Sequence, residues 1–288
     1  MKRPVKNVAA IHDLSGIGRA SLTMILPILS TMGVQVCPLP TAILSSTTDF
    51  EHYSFLDLTD HMREYIENWK RQSLEFDCIY SGFLGSSKQI DIIEDFISYF
   101  KTENNLVVID PVLGDNGSLY ETMDDEMVQK MRQLVSKADM ITPNFTEAMY
   151  LLQRPYSNEV TKEEIKRCLK ELSDMGPKTV IVTSIPDKQG VFTNTVAYER
   201  EADTFWKVSC KYIPAFYPGT GDAYASVIIG SLLQGDSLPI ALDRGVQFVT
   251  QCIRASYGFQ YDHIQGVLFE RVLDTLKLPV ISASYEMI

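Results

Sequence analysis

The chain has 288 residues, 45% hydrophobic and 22% charged, which is enough for one large α/β domain or two small ones around a well-buried core. Its formal net charge is −11. That balance argues against a nucleic-acid partner, which needs a basic stripe, and against an anionic membrane surface, but leaves an anionic small substrate open, because local backbone donors and a metal override net charge.

Five cysteines, Cys37, Cys78, Cys168, Cys210 and Cys252, are widely spaced without a CxxC pair. They read as reduced residues of a cytoplasmic protein. The N-terminal stretch MKRPVKNVAAIHDLSG has no signal-peptide apolar core, and no run of about 18 apolar residues predicts a membrane span.

In chain order, NVAAIHD opens as a strand and GRASLTMILPILSTMG follows as a helix ending near Gly33. VQVCPLPTAIL is extended. DLTDHMREYIENWKRQS is a helix with Asp57 or Thr59 as its cap. FDCIYSGFLG is a strand running into a turn, KQIDIIEDFISYFKTE an amphipathic helix, and NLVVIDPVLGD a buried strand ending in a carboxylate. DDEMVQKMRQLVSKA is a helix, DMITPN a short strand, FTEAMYLLQ a helix start, and TKEEIKRCLKELSDMG a helix stopping at Gly176. TVIVTS is a β-branched strand, and GVFTNTVAYE with TFWKVSCKYIP reads as an antiparallel pair. Helices after GTGD, over PIALDRGVQFVTQCIRASYG and near GVLFERVLDTL close the chain.

No repeat, low-complexity tract or linker interrupts this alternation, so a single domain over residues 1–288 is expected. Strands with continuous apolar runs, separated by helices, imply a mostly parallel sheet covered on both faces. Ligands of such sheets bind beyond the carboxyl ends of the strands, so the polar residues just after each strand carry the information.

Gly219-Thr220-Gly221-Asp222 is the first such group. A glycine turn entering a helix directs free N–H groups and the positive end of the helix dipole at an anion, suited to a transferring phosphoryl group. A carboxylate there suits a base that takes a proton from an attacking hydroxyl; it equally suits an ordinary N-cap. Asp110 and Asp115, in VVIDPVLGDNGSLY, suit a hydrated Mg2+ or a solvated turn. Asn144 and Glu147, three apart at a strand-to-helix junction, face one ligand or start the helix. Thr183 and Ser184 offer hydroxyls to phosphate or to the loop backbone. Ser15-Gly16-Ile17-Gly18 lacks the third glycine and the later acid of a dinucleotide fingerprint, and no Walker P-loop is present. His12 and Asp13 are candidates for a substrate pocket.

DPVLGDNGSLY, ITPNFTEA and FYPGTGDAYAS, in that order and spacing, resemble the pyridoxal (vitamin B6) kinase family of the ribokinase-like superfamily, over nearly the whole chain. The resemblance implies a three-layer α/β/α sandwich with a mostly parallel central sheet and a small flap. It implies ATP-dependent phosphorylation of the 5-hydroxymethyl group of pyridoxal, pyridoxine or pyridoxamine in B6 salvage. By that likeness Asp222 is the catalytic base, and Gly219, Thr220 and Gly221 form the anion hole. Asp115 and Glu147 organise Mg2+ and the phosphates, Asp110 and Asn144 lie near the triphosphate, and Thr183 with Ser184 touch ATP. Tyr217 and Pro218 fall on the adenine side, Phe83 near the substrate ring, Thr48 on the flap strand that contacts the pyridine, and Tyr120 on a covering loop. A cytoplasmic homodimer is implied, to which the apolar VQVCPLPTAIL contributes, while a monovalent-cation requirement stays open. Where B6 kinases often carry Ser-His at the end of the first strand, this chain has Ile11-His12 followed by Asp13, partly like the hydroxymethylpyrimidine kinases. Some relatives use a catalytic Cys in the glycine loop; this loop has none, so the Asp-based route is expected. A hydroxymethylpyrimidine kinase is the near alternative, a sugar or nucleoside kinase a more distant one, and a non-catalytic pyridoxal-binding protein the alternative from another class.

Overall fold

The computed structural model describes residues 4–279 and 284–288. Strand β1 (Asn7–Ile17) leads into α1 (Leu22–Thr31), β2 (Gln35–Ser46), β3 (Phe55–Asp57), α2 (Thr59–Arg71) and β4 (Cys78–Ser81). Then follow α3 (Ser87–Phe100), β5 (Leu106–Ile109), the short pair β6 (Gly114–Asp115) and β7 (Ser118–Leu119), α4 (Asp125–Val135), β8 (Met140–Ile141), α5 (Phe145–Leu151) and α6 (Lys162–Asp174). Strands β9 (Thr179–Ile185), β10 (Phe192–Glu199) and β11 (Thr204–Lys211) precede helices α7 (Thr220–Leu233) and α8 (Leu238–Tyr257), and β12 (Tyr285–Met287) comes last.

The chain divides into two compact units, Met1–Ile79 with Ile213–Ala283, and Tyr80–Tyr212 with Ser284–Ile288. In the first, β1 pairs parallel with β2 from Asn7↔Gln35 to Ile17↔Ser46, and β3 adds antiparallel to β2. The β1–β2 register shifts between His12 and Leu14, at Asp13. Such a bulge re-aims a side chain, and bulges recur beside active sites. Helix α7 buries every residue from Ala223 to Ser231, because small and aliphatic side chains occupy all its faces. It packs against α1 and α8. Their shared core holds Met24, Ile28, Tyr217, Val227, Phe248 and Cys252.

In the second unit β5 pairs parallel with β8 and β8 with β9. The edge strands β10, β11 and β12 run antiparallel to their neighbours. Val107, Val108 and Ile109 of β5 are fully buried, as a continuous apolar run requires. Helices α3 and α4 pack on one another, while α6 lies against β9 and β10. The architecture is therefore mixed α/β, parallel at its centre and antiparallel at its edges, with helices against the strands.

Four local expectations change. The segment near GVLFERVLDTL forms short 3-10 turns, Phe269–Arg271 and Leu273–Lys277, rather than an α-helix. Helix α2 is capped at Leu58, and Asp57 instead accepts from the Thr59 N–H at 2.6 Å. Thr48 lies in an exposed turn beyond β2, not on the strand, because pairing to β1 ends at Ser46. Strand β3, the β6–β7 hairpin and β12 are additional elements.

Candidate active site

The first unit carries the glycine turn. Gly219 is the N-cap of α7 with φ +78°. A Cβ there would lie 2.0 Å from the Arg19 carbonyl oxygen, so only glycine fits. The first bond of this turn runs from the Ala223 N–H to the Gly219 carbonyl at 3.0 Å. The N–H groups of Thr220, Gly221 and Asp222 precede it, at the positive end of the helix dipole. Gly221 is exposed, and a Cβ on it would meet open space. Its lack of a side chain is therefore not a packing requirement.

Asp222 is the third residue of the helix, not its cap. Its Oδ2 accepts from the Ser21 N–H at 2.8 Å, across a sequence distance of 201 residues. Burial pushes its carboxyl up to about 7, the Asp13 charge adds to the rise, and the Ser21 hydrogen bond opposes it. The side chain keeps 15% exposure, so a reactant's proton can still reach it. A carboxylate poised near neutral pH matches the needs of a general base.

His12 is fully buried, with Nδ1 3.9 Å from Asp222 Oδ1, too long for a hydrogen bond. Burial drops its pKa to about 3, so near pH 7 it is a neutral imidazole and the contact is not an ion pair. Asp13 is buried and accepts from Ser21 Oγ at 2.5 Å and from Ser15 Oγ at 3.2 Å. Burial raises its pKa, against the pull of those two hydroxyls. Ser21 itself has φ +51° and ψ −136°, a conformation that favours glycine and costs a serine about 1–3 kcal/mol. Sequence reasoning missed Ser21; the only signal was a serine just before the first helix.

The second unit carries the acidic group. Of the two readings of Asn144 and Glu147, the helix start is the one seen here. Asn144 Oδ1 accepts from the Glu147 N–H at 2.9 Å and Glu147 Oε2 from the Asn144 N–H at 2.7 Å, a complete capping box. Glu147 Oε1 also accepts from the Leu113 N–H at 3.2 Å, which ties β5's following loop to α5. Asn144 Nδ2 donates to the Gly114 carbonyl at 2.8 Å. Glu147 is 4% exposed, and burial first, then the charges of Asp110 and Asp115, push its pKa well above the carboxylate range. Asp115 is half-buried and also raised by burial, and Asp110 is buried directly after β5. The three acidic side chains thus crowd one another, which favours their protonated forms and which a cation would relieve.

Among the described residues, no group of three or more His, Cys, Asp or Glu is arranged to hold a metal ion. Both Glu147 oxygens are taken by backbone N–H groups, so its fit to Mg2+ is through charge rather than direct ligation. A hydrated Mg2+ needs only one or two carboxylates and substrate phosphates, which Asp115 and its neighbours suit.

Thr183 is half-buried and pairs with Asn144 through an isolated parallel bridge. Ser184 is exposed, with φ +54°. Phe83 is half-buried and Tyr120 43% exposed, both in this unit. In the first unit Pro218 is half-buried. Tyr217 is buried in the apolar core, its ring 4.7 Å from that of His263. The exposed aromatic of that turn is Phe216, at 61%.

The profile of a family described as phosphomethylpyrimidine kinase matches residues 26–268. A crystal structure with pyridoxal from Bacteroides thetaiotaomicron, provisionally assigned as a phosphomethylpyrimidine kinase, is 56% identical, covers 99% of this chain and 100% of its own, and superposes with a TM-score of 0.96. A pyridoxal kinase structure from Lactobacillus plantarum is 30% identical over 94% of this chain and 96% of its own, with a TM-score of 0.86. The human pyridoxal kinase is 27% identical over 80% of this chain and 81% of its own.

Proposed function

The chain belongs to the phosphomethylpyrimidine kinase family, and we propose that it is a pyridoxal kinase, transferring the γ-phosphoryl of ATP to the 5-hydroxymethyl group of a B6 vitamer. The observation that carries this is Asp222: a carboxyl raised to about 7, partly exposed, in the first turn of a helix entered through a glycine that nothing larger can replace. The pyridoxal in the structure of the 56%-identical Bacteroides protein supports the choice of substrate.

In the reaction the hydroxymethyl oxygen attacks the γ-phosphorus. Asp222 takes the hydroxyl proton as the new O–P bond forms. The bond from the γ-phosphorus to the bridging oxygen breaks, and ADP leaves with its electron pair. The Thr220, Gly221 and Asp222 amides hold the developing negative charge. His12, neutral at working pH, does not compete for the proton. Mg2+, when bound, offsets phosphate charge. Asp115, with Asp110 and Glu147 behind it, would hold Mg-ATP, with Asn144, Thr183 and Ser184 beside the phosphates. Pro218 and Phe216 would face the adenine. The candidate vitamer contacts are His12, Asp13 and Thr48 in the first unit, and Phe83 and Tyr120 in the second.

The whole chain acts as one kinase domain in this reading, and the family match runs through both units. A cytoplasmic homodimer completes it; Ile43, Phe55 and Leu56, on β2 and β3, are 42–57% exposed and suit a subunit contact. No helix among the described residues is long and apolar enough to cross a membrane.

A second reading, a hydroxymethylpyrimidine kinase, is favoured by the family description and by the acid Asp13 that follows His12 on β1. Product formation from Mg-ATP with pyridoxal, pyridoxine, pyridoxamine and hydroxymethylpyrimidine in parallel separates the two. Preference for a vitamer supports the proposal, preference for the pyrimidine moves the pocket to the second reading, and no turnover with any of the four refutes both.

A further inference from the structure

Ser21 makes four hydrogen bonds through its carbonyl, N–H and hydroxyl. Its carbonyl accepts from the Met24 N–H at 3.0 Å and the Ile25 N–H at 2.9 Å, which anchors the residue to the first turn of α1. Its N–H points at Asp222 Oδ2, 2.8 Å away. Its hydroxyl does not cap α1, although Ser21 occupies the N-cap position; it binds Asp13 Oδ1 at 2.5 Å instead. A glycine would hold φ +51° without strain and would still offer the N–H, so the backbone alone does not call for a serine. The hydroxyl does what glycine cannot: it ties the strained peptide to Asp13 at the bulge of β1.

We propose that Ser21 is a positioning residue for the base: the hydrogen bond from its hydroxyl to Asp13 locks the backbone conformation that aims its N–H at the Asp222 carboxylate. The lock fixes which carboxylate oxygen accepts the N–H and leaves Oδ1, on the His12 side, as the oxygen free to take the substrate proton. It also stabilises the charged form that a base must have, and that N–H is the one influence lowering the Asp222 pKa. The titratable groups facing Asp222 are His12 and Asp13, both on β1; Arg19, whose carbonyl lies against Gly219, has its guanidinium engaged with Glu270 at 2.7 Å. The inference rests on Asp222 being the base.

The test uses Ser21→Gly, which removes the hydroxyl and relieves the φ strain, and Ser21→Ala, which removes the hydroxyl and keeps it. Both should lower kcat about tenfold, the scale of one charge-assisted hydrogen bond, with KM for Mg-ATP unchanged. Both should move the acid limb of the kcat/KM profile to higher pH by up to about one unit. A purely structural role would not move that limb. In the Asp222→Asn background, Ser21→Gly should have no further effect on the residual rate. If Asp222→Asn abolishes activity while both Ser21 variants keep the wild-type pH profile, the positioning role is refuted and the base assignment stands. If Asp222→Asn retains near-normal kcat, the base assignment fails and the positioning role falls with it.

Discussion

Replacing Asp222 by Asn should make the protein more stable while stopping its chemistry, and the gain should depend on pH. The carboxyl titrates near 7 in the folded state, against 3.8 as its ordinary value. Between those values the folded state holds a proton that the unfolded chain has released, so wild-type stability falls as pH rises from about 4 to about 7, by about 1.4 kcal/mol per unit. Asparagine stays neutral and its side-chain oxygen still accepts from the Ser21 N–H. The stability difference, variant minus wild type, should therefore widen by about 2.5 kcal/mol between pH 5 and pH 8. Urea denaturation of both proteins at pH 5, 6, 7 and 8 measures it through the shift in midpoint. A difference that stays flat with pH, or narrows, would refute the claim that burial raises this carboxyl.

The same variant should lose at least about a hundredfold in kcat, measured by a coupled ADP assay. Wild-type kcat/KM should fall about tenfold per unit as pH drops below about 7, because the base must be ionised, and a flat profile down to pH 5 would remove Asp222 from the reaction. Gly221→Ala should leave thermal stability equal or slightly raised, since open space receives the methyl, yet lower kcat by crowding the anion hole; Gly219→Ala should cost about 3 kcal/mol or more, because φ +78° and the Arg19 carbonyl both exclude it. Glu147→Ala should lower stability by about 2–4 kcal/mol, since it strands the Leu113 and Asn144 N–H groups, and an unchanged melting temperature would contradict the capping box. Asp115→Asn should raise the Mg2+ concentration needed for half-maximal rate by about tenfold without loss of fold.

The alternation of strands and helices was legible because each long element carried its own period: β5 is an unbroken apolar run, and α6 opens on Thr161 with Glu164 three residues on. Apart from β8, which DMITPN predicts, elements of two or three residues were not legible. In β3, β6, β7 and β12 no period can develop, and pairing alone makes them strands. Among candidate site residues, the place of Asp222 and the glycines at a helix entrance was readable from residue type and order. The choice between cap and ligand for Glu147 was not, because the answer, a cap whose carboxylate is also buried among other acids, depends on Asp110 and Asp115 arriving from a different segment. The resemblance put Tyr217 on the adenine side, but the turn buries it in the core and exposes Phe216 instead. Ser21 left almost no trace, since what distinguishes it is a dihedral angle and a partner 201 residues away.

Helix α7 is buried on every side from Ala223 to Ser231, and the proposed base, Asp222, stands one residue before that run. Amides in such a helix exchange with solvent only when its surroundings open, so their exchange should report the unfolding of the first unit as a whole. The proposed base, tied to α1 through the Ser21 N–H, is therefore expected to melt with that buried run. On heating, loss of activity that originates at Asp222 should coincide with collapse of the α1–α7–α8 core, and an enzyme that cools and refolds that core should regain its catalyst in the same step.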